Sequence, residues 1–194
     1  QKKKVKQVKK VVEKDLVYPL VRGRDVKKWY VVGDYGYIIV PHDPKTGKPI
    51  PEDKMKVEFS MTHKYFSEFK NELENRSIQK LLGKKNPSYS VYDIGDYTFY
   101  PYKLVWKVIA GGITGKAVRF ASSVLEPIKI GYIEKESPII PDASLILISF
   151  NDLEEAYYVS AVLNSSIDLL AIASYTYELR QETHITQYIK IPKY

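Results

Sequence analysis

No cysteine occurs in the 194-residue sequence, so disulfides and thiolate metal sites are excluded. Neither an 18-residue apolar run nor a secretory signal is present, which leads to the expectation of a soluble, cytoplasmic protein with no membrane partner. Low-complexity tracts and internal repeats are missing as well. The 44% hydrophobic and 27% charged residues are those of a globular chain, long enough to bury about 70% of its unfolded surface. Histidine is scarce: His42, His63 and His184 are scattered, without an i,i+4 pair, and offer no zinc site. Ser and His are too dispersed to nominate a nucleophile with its base.

Positive charge is present but unevenly placed. Residues 1–14 carry seven Lys and one Glu, and the other 180 residues share what remains of the net +7. The opening is therefore expected to be a basic arm or linker from a preceding domain, with Val5, Val8, Val11 and Val12 forming a short apolar stripe if it is helical. A first residue of Gln rather than Met leads to the expectation of a piece of a longer polypeptide, although tag removal or a disordered start would look the same. Because the body is nearly neutral, any polyanion-binding function must rest on local clusters and not on overall charge. Tyrosine is abundant, at 17 copies against 6 Phe and 2 Trp. Its ring and hydroxyl suit both a half-wet sheet surface and a nucleic-acid contact.

Hydrophobic patterning predicts an α+β fold: a strand-rich antiparallel or mixed sheet domain over 15–194 with two principal helical regions. Leu16–Val21 reads as a strand confined by Pro19 to an edge, followed by a turn around Gly23. Trp29–Val32 and Tyr37–Val40 read as a hairpin, and residues 41–54, with four prolines, as an exposed loop. One helix is expected from Ser60 or Thr62 to Leu82, with Tyr65, Phe66, Phe69 and Leu73 on its inner face and Gly83 as a left-handed cap. Strands follow within residues 87–110 and at Ala117–Phe120, Ile128–Ile133 and Ser144–Phe150. Asn151 opens a second helix through a capping box with Glu154, with Ala156, Tyr157, Val162 and Leu163 facing inward. Residues 164–166 interrupt that helix.

Two constellations imitate enzymes. Residues 110–117 resemble a phosphate loop, but Ala110 stands where its first glycine belongs and Ala117 where a magnesium-binding hydroxyl is required. Asp43, Glu52 and Lys54 have the residue types of a Mg²⁺-dependent nuclease, yet fall in the proline-broken segment. Basic residues interleaved with aromatics are more informative. Arg22, Arg24, Lys27 and Lys28 surround Trp29; Lys103 and Lys107 flank Trp106, with Lys116 and Arg119 beyond. Strand alternation would put Lys103 and Lys107 on one face. Lys80, Lys84 and Lys85 form a further group that a helix C-terminus would also favour.

The run from Tyr18 to Trp29, "YPLVRGRDVKKW", resembles the signature opening the C-terminal specificity domain of Taq-type adenine-N6 DNA methyltransferases and related type IIG restriction-modification enzymes. Further resemblances keep the family's order. They are the helix bearing Tyr65, Phe69, Leu73 and Arg76, the strand "YPYKLVWK", the helix "EEAYYVSAVLNSS" and the closing "IKIPKY". The family's S-adenosylmethionine loop and Asn-Pro-Pro-aromatic motif do not occur, since Asn86-Pro87 is followed by Ser88. The resemblance thus implies a non-catalytic target-recognition domain without a cofactor of its own. S-adenosylmethionine would belong to an N-terminal methyltransferase domain of the same polypeptide. It implies double-stranded DNA as partner, gripped by Arg22, Arg24, Lys27, Lys28, Lys103, Lys107, Lys116 and Arg119, with Tyr89 and Tyr92 touching backbone or thymine methyls. A shared motif that is scaffold only, the small Mg²⁺-dependent nuclease and a Tyr-rich protein-interaction module are the alternatives.

Overall fold

Helices and three small sheets alternate irregularly along the chain, giving an α+β architecture as the patterning implies. The computed structural model describes residues 7–33, 35–83, 85–108, 120–131, 133–175 and 189–194. Two compact units result, one from residues 1–17 and 39–95, the other from 18–38 and 96–194. In chain order the elements begin with β1 (Val17–Val21) and β2 (Gly36–Ile39). The helices α1 (Glu52–Glu58), α2 (Ser60–Glu68), α3 (Lys70–Glu74) and α4 (Gln79–Leu82) follow. Next come β3 (Tyr102–Lys107), β4 (Ser122–Leu125), β5 (Ile128–Ile130), β6 (Ile133–Ser137), β7 (Ile140–Pro141) and β8 (Leu145–Phe150). The helices α5 (Leu153–Leu163) and α6 (Ser166–Tyr175) complete the order.

In the larger unit β3 is the central strand, antiparallel to β4 on one side and β8 on the other. Alternation along "KLVWK" sends Leu104 and Trp106 into a core with Phe150 and the α5 residues Ala156, Val159 and Leu163. Val105 points the other way, into a second core with Val21, Val26, Leu125, Ile139 and Leu145. Both faces of β3 are thus covered. The inner face of α5 runs through Ala156, Val159, Ser160 and Leu163, a 3.6-residue stripe, whereas Tyr157 is exposed and Val162 only half-buried. Its N-cap is Asp152, whose carboxylate accepts the Glu155 N–H at 2.7 Å, one residue later than the expected cap. The break at residues 164–165 separates α5 from α6.

The strand β1 lies between β2 and β7 rather than at an edge, and its parallel register with β7 is formed at Leu20 and Val21, beyond Pro19. Trp29–Val32 forms no strand with β2. A tight hairpin of its own replaces it, Val26 bridging Val31. The strand at Ala117–Phe120 falls almost wholly outside the described residues.

In the smaller unit Leu16, Ile50, Met55 and Tyr89 form a core against which Phe59, Phe66 and Leu73 pack. The proline-rich segment is not simply an exposed loop: Pro41, His42, Gly47 and Ile50 are buried, and α1 starts directly after Pro51 with Glu52 and Asp53 in its first turn. The expected helix over 60–82 is three short ones. Ser67 Oγ donates to His63 O and Asn75 Nδ2 to Asn71 O, each at 2.8 Å, side-chain bonds that compete with the helical ladder. Arg76 then gives its guanidinium to the carbonyls of Leu73, Ser88 and Ser90. Gly83 has φ +78 but ψ 159, an extended glycine conformation and not the left-handed helical cap. Residues 7–13 are not helical, and Val11 is exposed; Glu13 instead accepts the Met61 and Thr62 N–H groups at the start of α2.

Candidate nucleic-acid interface

Charge and aromaticity meet where β1 leaves its sheet. The turn at Arg22–Asp25 is closed by the Asp25 carboxylate, which accepts the Arg22 N–H at 3.1 Å, and by Asp25 N–H on Arg22 O at 2.9 Å. The same carboxylate holds Arg24 Nε at 3.4 Å while the Arg24 side chain remains 72% exposed. Gly23 is required by space: its N–H donates to Ser144 Oγ at 2.8 Å, and a Cβ would sit 2.7 Å from that oxygen. Gly23→Ala is therefore expected to displace Ser144 and cost about 1 to 3 kcal/mol, read as a drop in the denaturant midpoint. Arg22 is half-buried, with its guanidinium against Gly36.

Directly after the turn the chain folds back on itself. Lys27 N–H donates to Tyr30 O and Val32 N–H to Asp25 O, each at 2.9 Å, leaving Lys28 and Trp29 at the tip. Trp29 sits at φ 77, a conformation that favours glycine and costs a bulky residue about 1 to 3 kcal/mol. It is held there from outside the hairpin. Its N–H donates to Ser122 O at 3.1 Å, and Ser123 Oγ donates to Lys27 O at 2.8 Å, both from β4. Ser122 is fixed in turn by the buried Asn164 at the end of α5, which accepts its N–H at 3.1 Å and donates to its carbonyl at 3.0 Å. The tip is presented to solvent, with Trp29 54% and Tyr30 60% exposed and Lys28 Nζ over the indole at 5.4 Å.

Among the expected site residues, Arg24, Lys27 and Lys28 are exposed around this tip. Lys107, at the end of β3, joins them: burial lowers its pKa, Lys27 adds to the effect, and Asp25 opposes it. Lys103 does not belong to the group. It is fully enclosed on the Val105 side of β3, with Nζ donating to Tyr100 O at 2.6 Å, and burial pushes its pKa down to about 7. The alternation correctly put Lys103 and Lys107 on one face; that face is a core except at its end.

Tyr89 is likewise a core residue. Its ring stacks on Phe66 at 5.3 Å, its hydroxyl donates to Ile50 O at 2.8 Å, and burial raises its pKa to about 12. Tyr92 is exposed in the same, smaller unit. Lys116, Arg119, Lys84, His184 and the phosphate-loop resemblance at 110–117 lie outside the described residues. The residues that patterning missed are Ser122 and Asn164, whose roles depend on a pairing between distant segments.

The nuclease residues are occupied locally. Asp43 accepts the Lys45 and Thr46 N–H groups, bonds that lower its pKa. Glu52 pairs with Lys56 at 3.1 Å and lies 3.6 Å from His63, and Lys54 faces Glu58 at 3.7 Å. Among the described residues no group of three His, Asp or Glu could hold a metal ion, and no helix is long and apolar enough to cross a membrane. The buried His42 donates from Nδ1 to Gly47 O and accepts the Val91 N–H on Nε2, which fixes it as a neutral structural imidazole.

No protein-family model matches the chain. It is 29% identical over 158 residues to the type II methyltransferase M.NspV of Nostoc sp. (strain ATCC 29411 / PCC 7524). That similarity takes in 80% of this chain but 29% of the relative, so the chain spans less than a third of the length of the protein it matches.

Proposed function

We propose that this chain is the DNA-recognition part of a restriction-modification methyltransferase, holding duplex DNA for a catalytic domain elsewhere in the same polypeptide. The relative's type II methyltransferase function supports the context, and the resemblance of "YPLVRGRDVKKW" to Taq-type specificity domains supports the finer role. The observation that carries the proposal is the hairpin tip, where Lys28, Trp29 and Tyr30 project beside Arg24, Lys27 and Lys107. Cations at such a projection neutralise phosphates and release counterions, and an arginine with free guanidinium nitrogens can read a guanine edge. S-adenosylmethionine would be bound by the catalytic domain, for which this chain has neither the loop nor the Asn-Pro-Pro-aromatic motif.

Affinity for duplex DNA is expected to fall steeply with salt. Each of Arg24→Ala, Lys27→Ala, Lys28→Ala and Lys107→Ala should reduce the slope of log K against log salt by about 0.9 where a phosphate contact is lost. Lys103→Met should leave the slope unchanged. Salt-independent binding, or no binding to duplex DNA of any sequence from a randomised pool, rejects the proposal; Mg²⁺-dependent cleavage by the chain would favour the nuclease instead.

A further inference from the structure

We infer that Trp29 is a base-stacking residue, which the fold holds out at the hairpin tip to lie against a base face where the duplex is locally unstacked. The inference rests on the DNA-binding reading and adds to it a specific residue and a mode of contact. Three features of the tip lead to it. First, the backbone at Trp29 suits glycine, yet the largest side chain occupies it. Local strain that persists needs outside support, and here the support is explicit: Asn164 holds Ser122, and Ser122 O holds the Trp29 N–H.

Second, the indole finds no core. Trp106, the other tryptophan, is fully enclosed, whereas Trp29 is 54% exposed beside an exposed Tyr30. More than half of its surface therefore contributes nothing to the core. Third, its surroundings are cationic: Lys28 Nζ lies over the ring, Lys27 and Arg24 are exposed nearby, and the adjacent acid, Asp25, is engaged by Arg24 and by the Arg22 N–H. A flat apolar face set among cations suits a polyanion whose interior is aromatic. Bases stack on aromatic side chains with little dependence on sequence, and apolar side chains enter duplexes at unstacked steps. A tip only two residues wide can enter a groove that a broad sheet face cannot.

The test uses Trp29→Gly, Trp29→Leu and Trp29→Phe in the full chain, with thermal midpoints, duplex affinity at several salt concentrations and tryptophan emission. Because Trp106 is enclosed, quenching of the wild-type emission by duplex reports on Trp29. The expected results are quenching in the wild type and a thermal midpoint for Trp29→Gly that is unchanged or higher. Affinity should fall about tenfold for Gly and Leu and be largely retained by Phe. The salt slope should be the same in all four proteins, because no phosphate contact is removed. Wild-type binding without quenching, or equal affinity of Trp29→Leu, overturns the stacking role while leaving DNA binding intact; a reduced slope in Trp29→Leu overturns it too. If Trp29→Gly unfolds, the Leu and Phe variants decide. Absence of any wild-type binding to duplex removes both the inference and the reading beneath it.

Discussion

Raising the pH from 7 to 9.5 is expected to stabilise the protein by about 3 kcal/mol through Lys103, and Lys103→Met to remove that contribution. The Lys103 ammonium is fully enclosed on a central strand, donates to one carbonyl and has no carboxylate partner among the described residues. Burial disfavours the charged form and brings the folded-state pKa from 10.5 to about 7. Between those values the unfolded chain holds the proton and the folded one releases it. Unfolding then takes up a proton, so stability climbs with pH across that interval and is lowest at and below pH 7. The window closes near pH 10. Tyr89, through burial, and Tyr157, through its bond to Glu126, keep their protons in the folded state up to about 12, so stability falls as their unfolded counterparts ionise.

Urea midpoints of the wild type and Lys103→Met across pH 7 to 9.5 check this. The variant should be the more stable at pH 7 and rise more shallowly thereafter, with the lowered pKa of Lys107 still contributing. Parallel curves would mean that Lys103 reaches solvent. The same result separates Lys103 from the DNA contacts, because an enclosed lysine whose charged form burial disfavours cannot reach and neutralise a phosphate.

Asn164→Ala is expected to lower stability by about 2 to 4 kcal/mol and to loosen a hairpin that the asparagine never touches. Asn164 is almost fully buried, and its amide satisfies both the N–H and the carbonyl of Ser122, with a further bond to Ser160 Oγ at 3.3 Å. Alanine leaves the Ser122 N–H without its acceptor in an interior where water cannot replace it, and leaves the Ser122 carbonyl with the Trp29 N–H alone. Ser122 O also anchors Trp29, so the amides of Lys27–Val31 should lose protection in hydrogen exchange beyond what the global destabilisation explains. Protection lost evenly over the molecule would show that the hairpin does not depend on this link. Duplex affinity should fall with the hairpin's order, without the change in salt slope that marks a lost cation.

The strand β3, the turn at Arg22–Asp25 and the division of α5 from α6 were legible because each rests on a local signal: period-two alternation, an Arg-Gly-Arg-Asp run, and an Asn-Ser pair after an apolar stripe. The long helix over 60–82 was overread. Its aromatic spacing is helical throughout, but Asn75 and Arg76 give their side chains to backbone carbonyls and end the ladder. The hairpin was misplaced for a related reason: the glycines at 33 and 36 mark a turn in composition, whereas the turn that forms carries Lys28 and Trp29. Nothing local favours it, because its support comes from Ser122 and Ser123.

By itself the sequence determined the fold class, the basic-aromatic run and the absence of thiolate chemistry, since composition and short-range periodicity are properties of neighbours along the chain. Which lysines remain at the surface was decided only in three dimensions. Lys103 and Lys107 are equivalent by alternation, yet one is walled in and the other stands at the strand's end beside Lys27. A strand's period fixes the direction of a side chain; what covers that side is supplied by segments tens of residues away.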